Sequence, residues 1–145
     1  MRTHLNLATT DLAKSVEFYS TLLDAKPTKL FGDYALFITD QPGLELALDR
    51  ADEVSPTQDA HYGVYVEGAE EVERAIARLE RASLASSIER EETCCYANQT
   101  KVWAIDPEGR RWEIYTVNKE TDERDDADSA CCSVGDETGQ CCIAE

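Results

Sequence analysis

The chain has 145 residues, enough for one domain core of ordinary size and not for a second. Thirty acidic against 14 basic residues give a formal net charge of -16, which speaks against nucleic-acid binding by phosphate neutralisation and against a polybasic membrane surface. No apolar run is long enough for a secretion signal or a membrane span, so the expected setting is the cytoplasm.

The elements fall into two copies of one pattern. Residues 2–8 alternate polar and apolar as a strand, and Asp11 is placed to cap a helix through about Leu23, with Val16, Tyr19, Leu22 and Leu23 inward. Short strands are predicted near 28–31, 34–39 and 44–49, parted by the turn residues Gly32-Asp33 and Gln41-Pro42-Gly43. The pattern then restarts. Residues 60–66 alternate, a helix spans about Glu70 to Arg81 with Val72, Ala75, Ile76 and Leu79 inward, and strands follow near 87–92, 100–105 and 111–117. Asp106-Pro107-Glu108-Gly109 echoes Asp40-Gln41-Pro42-Gly43. The expected fold is α+β: two βαβββ modules, about 1–50 and 58–118, forming a curved mixed sheet around a cavity with the helices outside.

From about residue 119 the composition changes. Residues 119–145 hold nine acidic and two basic residues and little apolar content. Such a stretch cannot bury enough surface to offset its ordering entropy and reads as a flexible acidic tail. The six cysteines form three adjacent pairs, Cys94-Cys95, Cys131-Cys132 and Cys141-Cys142. Neighbouring cysteines staple no distant loops together, whereas two adjacent reduced thiols suit a thiophilic ion that takes both.

The chain's two histidines, His4 and His61, occupy equivalent positions in the repeat, on the first strand of each module. Alternation puts Leu5 and Leu7 on one side of the first strand and His4 with Asn6 on the other; Tyr62, Val64 and Val66 likewise oppose His61 and Gly63. In the last strand Trp112 and Ile114 point to the helices, leaving Glu113 on the histidine face. A lone strand histidine is commonly a surface residue, and Glu113 could be a solvated side chain. What sets His4, His61 and Glu113 apart is the shared face at repeat-equivalent positions. Two imidazoles and a carboxylate with open positions make a facial triad for Fe(II), though the same donors also suit Zn, Mn, Co or Ni. Matching Gly43 to Gly109 places Ala47 where module two has Glu113, so module one offers one ligand and the site stays open. Module two is nine residues longer between equivalent ends, and the excess falls around 92–99, predicting a mobile loop that carries Cys94 and Cys95. Arg111 and Tyr115 are expected to line the cavity face, and Lys101 to be solvated.

The double βαβββ repeat with His4, His61 and Glu113 resembles the vicinal oxygen chelate superfamily of glyoxalase, bleomycin-resistance and extradiol-dioxygenase proteins. Thr93-Cys94-Cys95-Tyr96, Lys101-Val102-Trp103 and Asp106-Pro107-Glu108-Gly109 through Trp112-Glu113 are similar to the carbon–arsenic lyases within it, over about residues 1–117. Family members commonly write Asp-His where this chain has Ala60-His61. The resemblance implies an Fe(II)- and O2-dependent enzyme, a monomer or homodimer. It would cleave the carbon–arsenic bond of trivalent organoarsenicals, methylarsonous acid giving arsenite, with aromatic arsenicals similar substrates. His4, His61 and Glu113 would hold the metal and Cys94 and Cys95 the arsenic, while Cys131, Cys132, Cys141 and Cys142 would be auxiliary thiols. Two other readings remain open: a thiol protein that sequesters Cd or As without turnover, and a different ring-cleaving or glyoxalase-like enzyme.

Overall fold

The computed structural model describes residues 1–55 and 60–122. Module one comprises β1 (Thr3–Thr9), α1 (Leu12–Leu22), β2 (Lys29–Leu30), β3 (Tyr34–Thr39) and β4 (Leu44–Arg50). Module two comprises β5 (His61–Tyr65), α2 (Ala69–Arg81), β6 (Ala85–Cys94), β7 (Ala97–Ile105) and β8 (Arg111–Glu120). Each module folds into its own four-stranded mixed sheet, ordered β1-β4-β3-β2 and β5-β8-β7-β6, and neither closes into a barrel. The first strand pairs in parallel with the last, which the intervening helix makes possible by returning the chain over one face.

The repeat extends to the register. His4 pairs with Glu45 and Asn6 with Ala47 in sheet one; His61 pairs with Arg111 and Gly63 with Glu113 in sheet two. Ala47 therefore does stand where module two has Glu113. Asp11 caps α1 by accepting from the Lys14 backbone N–H at 3.1 Å. In α2 the inward residues are Val72, Ala75, Ile76 and Leu79, as its periodicity requires. One apolar cluster, with Phe18, Tyr19, Leu46, Leu48, Leu79, Trp112 and Ile114 among its members, runs between the helices and both sheets. Among the described residues no helix is long and apolar enough to cross a membrane.

Polar contacts clasp the modules at the Asp106-Pro107-Glu108-Gly109 turn. Gly109 takes φ +87°, the left-handed region that favours glycine. Asp106 is buried and accepts from Tyr19 Oη at 2.7 Å and from Arg110 Nη1 at 2.9 Å, while its other oxygen takes the backbone N–H groups of Glu108 and Arg110. Trp112 Nε1 donates to Tyr19 Oη at 3.2 Å, and Arg110 Nη2 donates to the Ala8 carbonyl at 2.7 Å. Burial first, then the Asp106 charge, pushes the Tyr19 phenol well above its ordinary range, so it stays a donor. Glu108 reaches back to module one and accepts from Thr10 N, Thr10 Oγ1 and Thr9 Oγ1.

The 92–99 segment differs from expectation. It is not a loop: β6 runs to Cys94, β7 starts at Ala97, and Cys94 pairs with Ala97. Cys95 and Tyr96, at φ +55° and +66°, form the two-residue turn that suits a twisted hairpin. The extra residues lengthen the hairpin because cross-strand pairing satisfies backbone groups that a loop would leave to water. Register slips between Glu89 and Glu92 and between Asn98 and Gln99 divide this tip from the rest of the sheet.

Candidate functional site

The face of sheet two turned away from the helices carries the candidate chemistry. His61 on β5 and Glu113 on β8 come together there, with Nε2 and Oε1 3.6 Å apart. Gly63 lies beneath the carboxylate: a Cβ at that position would sit 3.1 Å from Glu113 Oε1 and 3.1 Å from Tyr115 Cε1. A side chain there would need the carboxylate or the Tyr115 ring to give by a few tenths of an ångström.

β7 supplies the surroundings. Trp103 pairs in register with Glu113, and its indole packs edge-on to the His61 ring with centroids 5.3 Å apart. Its Nε1 donates to Glu89 Oε1 at 2.8 Å. The Arg111 guanidinium lies over the same indole, 4.5 Å from its centroid. Tyr115 packs edge-on to Tyr65, and burial first, then the Glu113 charge, raises the Tyr115 phenol above its usual range. Arg111 and Tyr115 thus line the face, as expected of them.

Lys101 does not behave as expected. Its side chain is only 2% exposed, and its ammonium lies 3.2 Å from Glu113 Oε2. Strand alternation puts Lys101 on the Trp103 face, but it does not show that the ammonium is buried against Glu113 and the Trp103 ring. Glu89 is a second residue that pattern alone passes over. Its inward neighbour Ile88 marks it as outward and solvated, yet it is 2% exposed.

His4 stands elsewhere. It is exposed on β1, with Nδ1 3.7 Å from Glu45 Oε2. Among the described residues no three His, Cys, Asp or Glu side chains stand together as a cation cage. The His61–Glu113 pair does fit a divalent cation: a nitrogen and an oxygen 3.6 Å apart are within reach of one ion bonded to each at about 2.1 Å.

Cys94 and Cys95 sit at the hairpin tip with their Sγ atoms 3.3 Å apart, Cys94 buried and Cys95 exposed. Cys94 is disulfide-bonded, so it needs reduction before its thiol can take a ligand. The tip is far from His61 and Glu113: β7 faces Glu120 at Ala97 and Glu113 at Trp103, about 20 Å further along at about 3.3 Å per residue. Cys131, Cys132, Cys141 and Cys142 lie outside the described residues.

Residues 2–114 match the Glyoxalase/Bleomycin resistance protein/Dioxygenase superfamily model, and the chain belongs to that family. A curated relative, the trivalent organoarsenical cleaving enzyme of Bacillus sp. (strain MD1), is 40% identical over 142 residues, covering 96% of this chain and 88% of that protein. The cadmium-induced protein CadI of Mycobacterium tuberculosis (strain ATCC 25618 / H37Rv) is 41% identical over 116 residues, 80% of this chain and 76% of its own length. The fold is similar to the crystal structure of a glyoxalase/bleomycin resistance protein/dioxygenase from Alicyclobacillus acidocaldarius. That match has a TM-score of 0.66 at 19% identity and covers 82% of this chain and 92% of the other.

Proposed function

We propose that this protein is an Fe(II)- and O2-dependent enzyme that cleaves the carbon–arsenic bond of trivalent organoarsenicals. Methylarsonous acid would yield arsenite and an oxidised one-carbon fragment, and aromatic arsenicals would be handled alike. The observation that carries the reading is the spacing of the Cys94 and Cys95 sulfurs, which serve as two thiols once Cys94 is reduced. Sulfurs 3.3 Å apart, each bonded to one centre at a thiolate distance of about 2.3 Å, subtend an angle of about 90° there. Pyramidal trivalent arsenic suits that angle better than tetrahedral zinc or cadmium does. A third position on the arsenic is left for the organic group. The 40% identity to an organoarsenical cleaving enzyme supports the same substrate class.

In this reading the protein's own part is capture, delivery and positioning. Cys94 and Cys95, both reduced, hold arsenic through two sulfur bonds. The register slips near Glu91 and Gln99 are where the tip can bend, because bulges break the regular ladder and turn the strand. Bending there brings the tethered carbon toward His61 and Glu113, and such tethering replaces a bimolecular encounter by a positioned one. His61 and Glu113 hold the cation, and His4 completes the set from its own chain or from a second copy. Fe(II) bound there supplies the dioxygen chemistry that a carbon–arsenic bond otherwise resists. Trp103 and Tyr115 wall the face, and Tyr115 keeps its proton across the neutral range.

The test is arsenite release from methylarsonous acid by reduced protein with Fe(II) and air, against a His4→Ala control. Release no greater than the control would overturn the enzyme reading in favour of thiol sequestration, a second reading that the name of the cadmium-induced relative supports. Mixing His4→Ala with Glu113→Gln chains tells the two sources of His4 apart. Activity returns on mixing only where copies share a site.

A further inference from the structure

Lys101 has no place in the reaction outlined above, and its burial calls for a cause. An ammonium with 2% of its side chain exposed is costly to hold in an interior, and a buried ion pair seldom adds net stability over apolar packing. Among the described residues one carboxylate lies within ion-pair distance of it, Glu113 Oε2 at 3.2 Å. Among the described residues that oxygen has no conventional hydrogen-bond partner. Lys101 therefore acts as a positive charge beside the carboxylate, with Oε1 left facing His61.

A second buried carboxylate stands beside this pair. Glu89 faces Lys101 across the β6–β7 ladder, is 2% exposed, and spends Oε1 on the Trp103 indole. Its Oε2 is buried with no hydrogen-bond partner among the described residues. Such an oxygen is expensive to leave unmet in a static structure, and makes sense as an acceptor awaiting a donor. The cluster thus holds two carboxylates and one ammonium. A divalent cation between His61 and Glu113 Oε1 would face the ammonium across the same carboxylate, and the two like charges repel.

We propose that Lys101 is a built-in counter-ion for Glu113 that a divalent cation displaces, and that Glu89 Oε2, opposite it on β6, receives the displaced ammonium. The proposal rests on Glu113 being a metal ligand. Lys101 steadies the metal-free site and competes with the cation. Glu89 lowers the cost of displacement, so the pair sets how tightly the site binds. Module one has Tyr34 in the register position of Lys101 and Ala47 in that of Glu113, so the charge and its counter-ion occur together in one sheet only.

The experiment titrates the full chain with Mn(II), a hard ion that imidazole and carboxylate suit and thiolates do not, counting free ion by electron paramagnetic resonance. Glu113→Gln must abolish the tight site; if it does not, the metal reading fails and the counter-ion proposal with it. Given that loss, Lys101→Met should bind Mn(II) about tenfold more tightly than the unaltered protein, because a competing charge is gone. Lys101→Gln, which keeps a polar head should the methionine variant not fold, should also bind more tightly. Glu89→Gln should weaken binding several-fold, and should have no effect when combined with Lys101→Met. Equal or weaker binding by both lysine variants would overturn the proposal and leave Lys101 as a residue that orients Glu113. So would a Glu89→Gln effect that survives in the lysine-free protein.

Discussion

The two sheets share strand order and register yet differ on the faces turned away from the helices. Sheet one presents His4, Asn6 and Glu45 largely to water and carries Ala47 where a second ligand would stand. Sheet two buries Glu89, Lys101, Trp103 and Glu113 on the matching face, and puts Gly63 where sheet one has Asn6. A repeat fixes where residues go and leaves open what they are. Charged groups are costly to bury, so one module gathers them into a preorganised pair while the other keeps a single exposed imidazole.

The contrast can be tested in order of effect. Glu113→Gln should cut arsenite release at least about a thousandfold, since it removes the carboxylate proposed to hold the cation while Tyr115 and Trp103 stay in place. Removing the carboxylate beside His4 in sheet one, Glu45→Gln, should leave turnover within about threefold, measured as kcat/KM. Cys94→Ser or Cys95→Ser should lower kcat/KM for the arsenical about a hundredfold with the Mn(II) site intact. Metal loss in either variant would show that the hairpin tip and the metal pair are not separate sites. Gly63→Ala should weaken Mn(II) binding about tenfold, because its Cβ would crowd Glu113 Oε1. Asn6→Ala, its counterpart, should not.

Smaller effects belong to the clasp between the modules. Tyr19→Phe should cost about 2 kcal/mol in chemical denaturation by leaving Asp106 short of a donor, with activity per folded molecule unchanged. Glu108 shows the least. Burial raises its carboxyl, but the Thr10 N–H and the Thr10 and Thr9 hydroxyls overcome that and hold it below its ordinary 4.5. A carboxyl depressed on folding contributes stability above its unfolded value and loses it as pH falls through the folded one. Melting temperature should therefore decline below about pH 4.5, and Glu108→Gln should flatten that decline. An equally steep acid limb in the variant would assign the loss to other carboxylates.

Much of this protein was legible residue by residue. The restart of the pattern near residue 60, the inward set Val72, Ala75, Ile76 and Leu79, and the shared face of His61 and Glu113 all follow from periods of 3.6 and 2. Ala47 as the vacant corner followed from matching Gly43 to Gly109. The hairpin was not legible, because Glu91, Cys95 and Tyr96 take positive φ without the Asn-Gly signal that marks such turns. A polar stretch of eight residues therefore read as a loop.

Sequence sufficed for the two modules, for the match of Ala47 to Glu113 and for the set of residues able to ligate, because each depends on local periodicity and on repetition. Tertiary structure alone decided burial on the outward face of sheet two. Alternation says which way Lys101 and Glu89 point, but not that the Trp103 indole and the Glu113 carboxylate stand against them. Tertiary structure also decided distance. It brought His61 to Glu113, left His4 on another sheet beside Glu45, and held Cys94 and Cys95 at the tip of a hairpin, beyond its register slips.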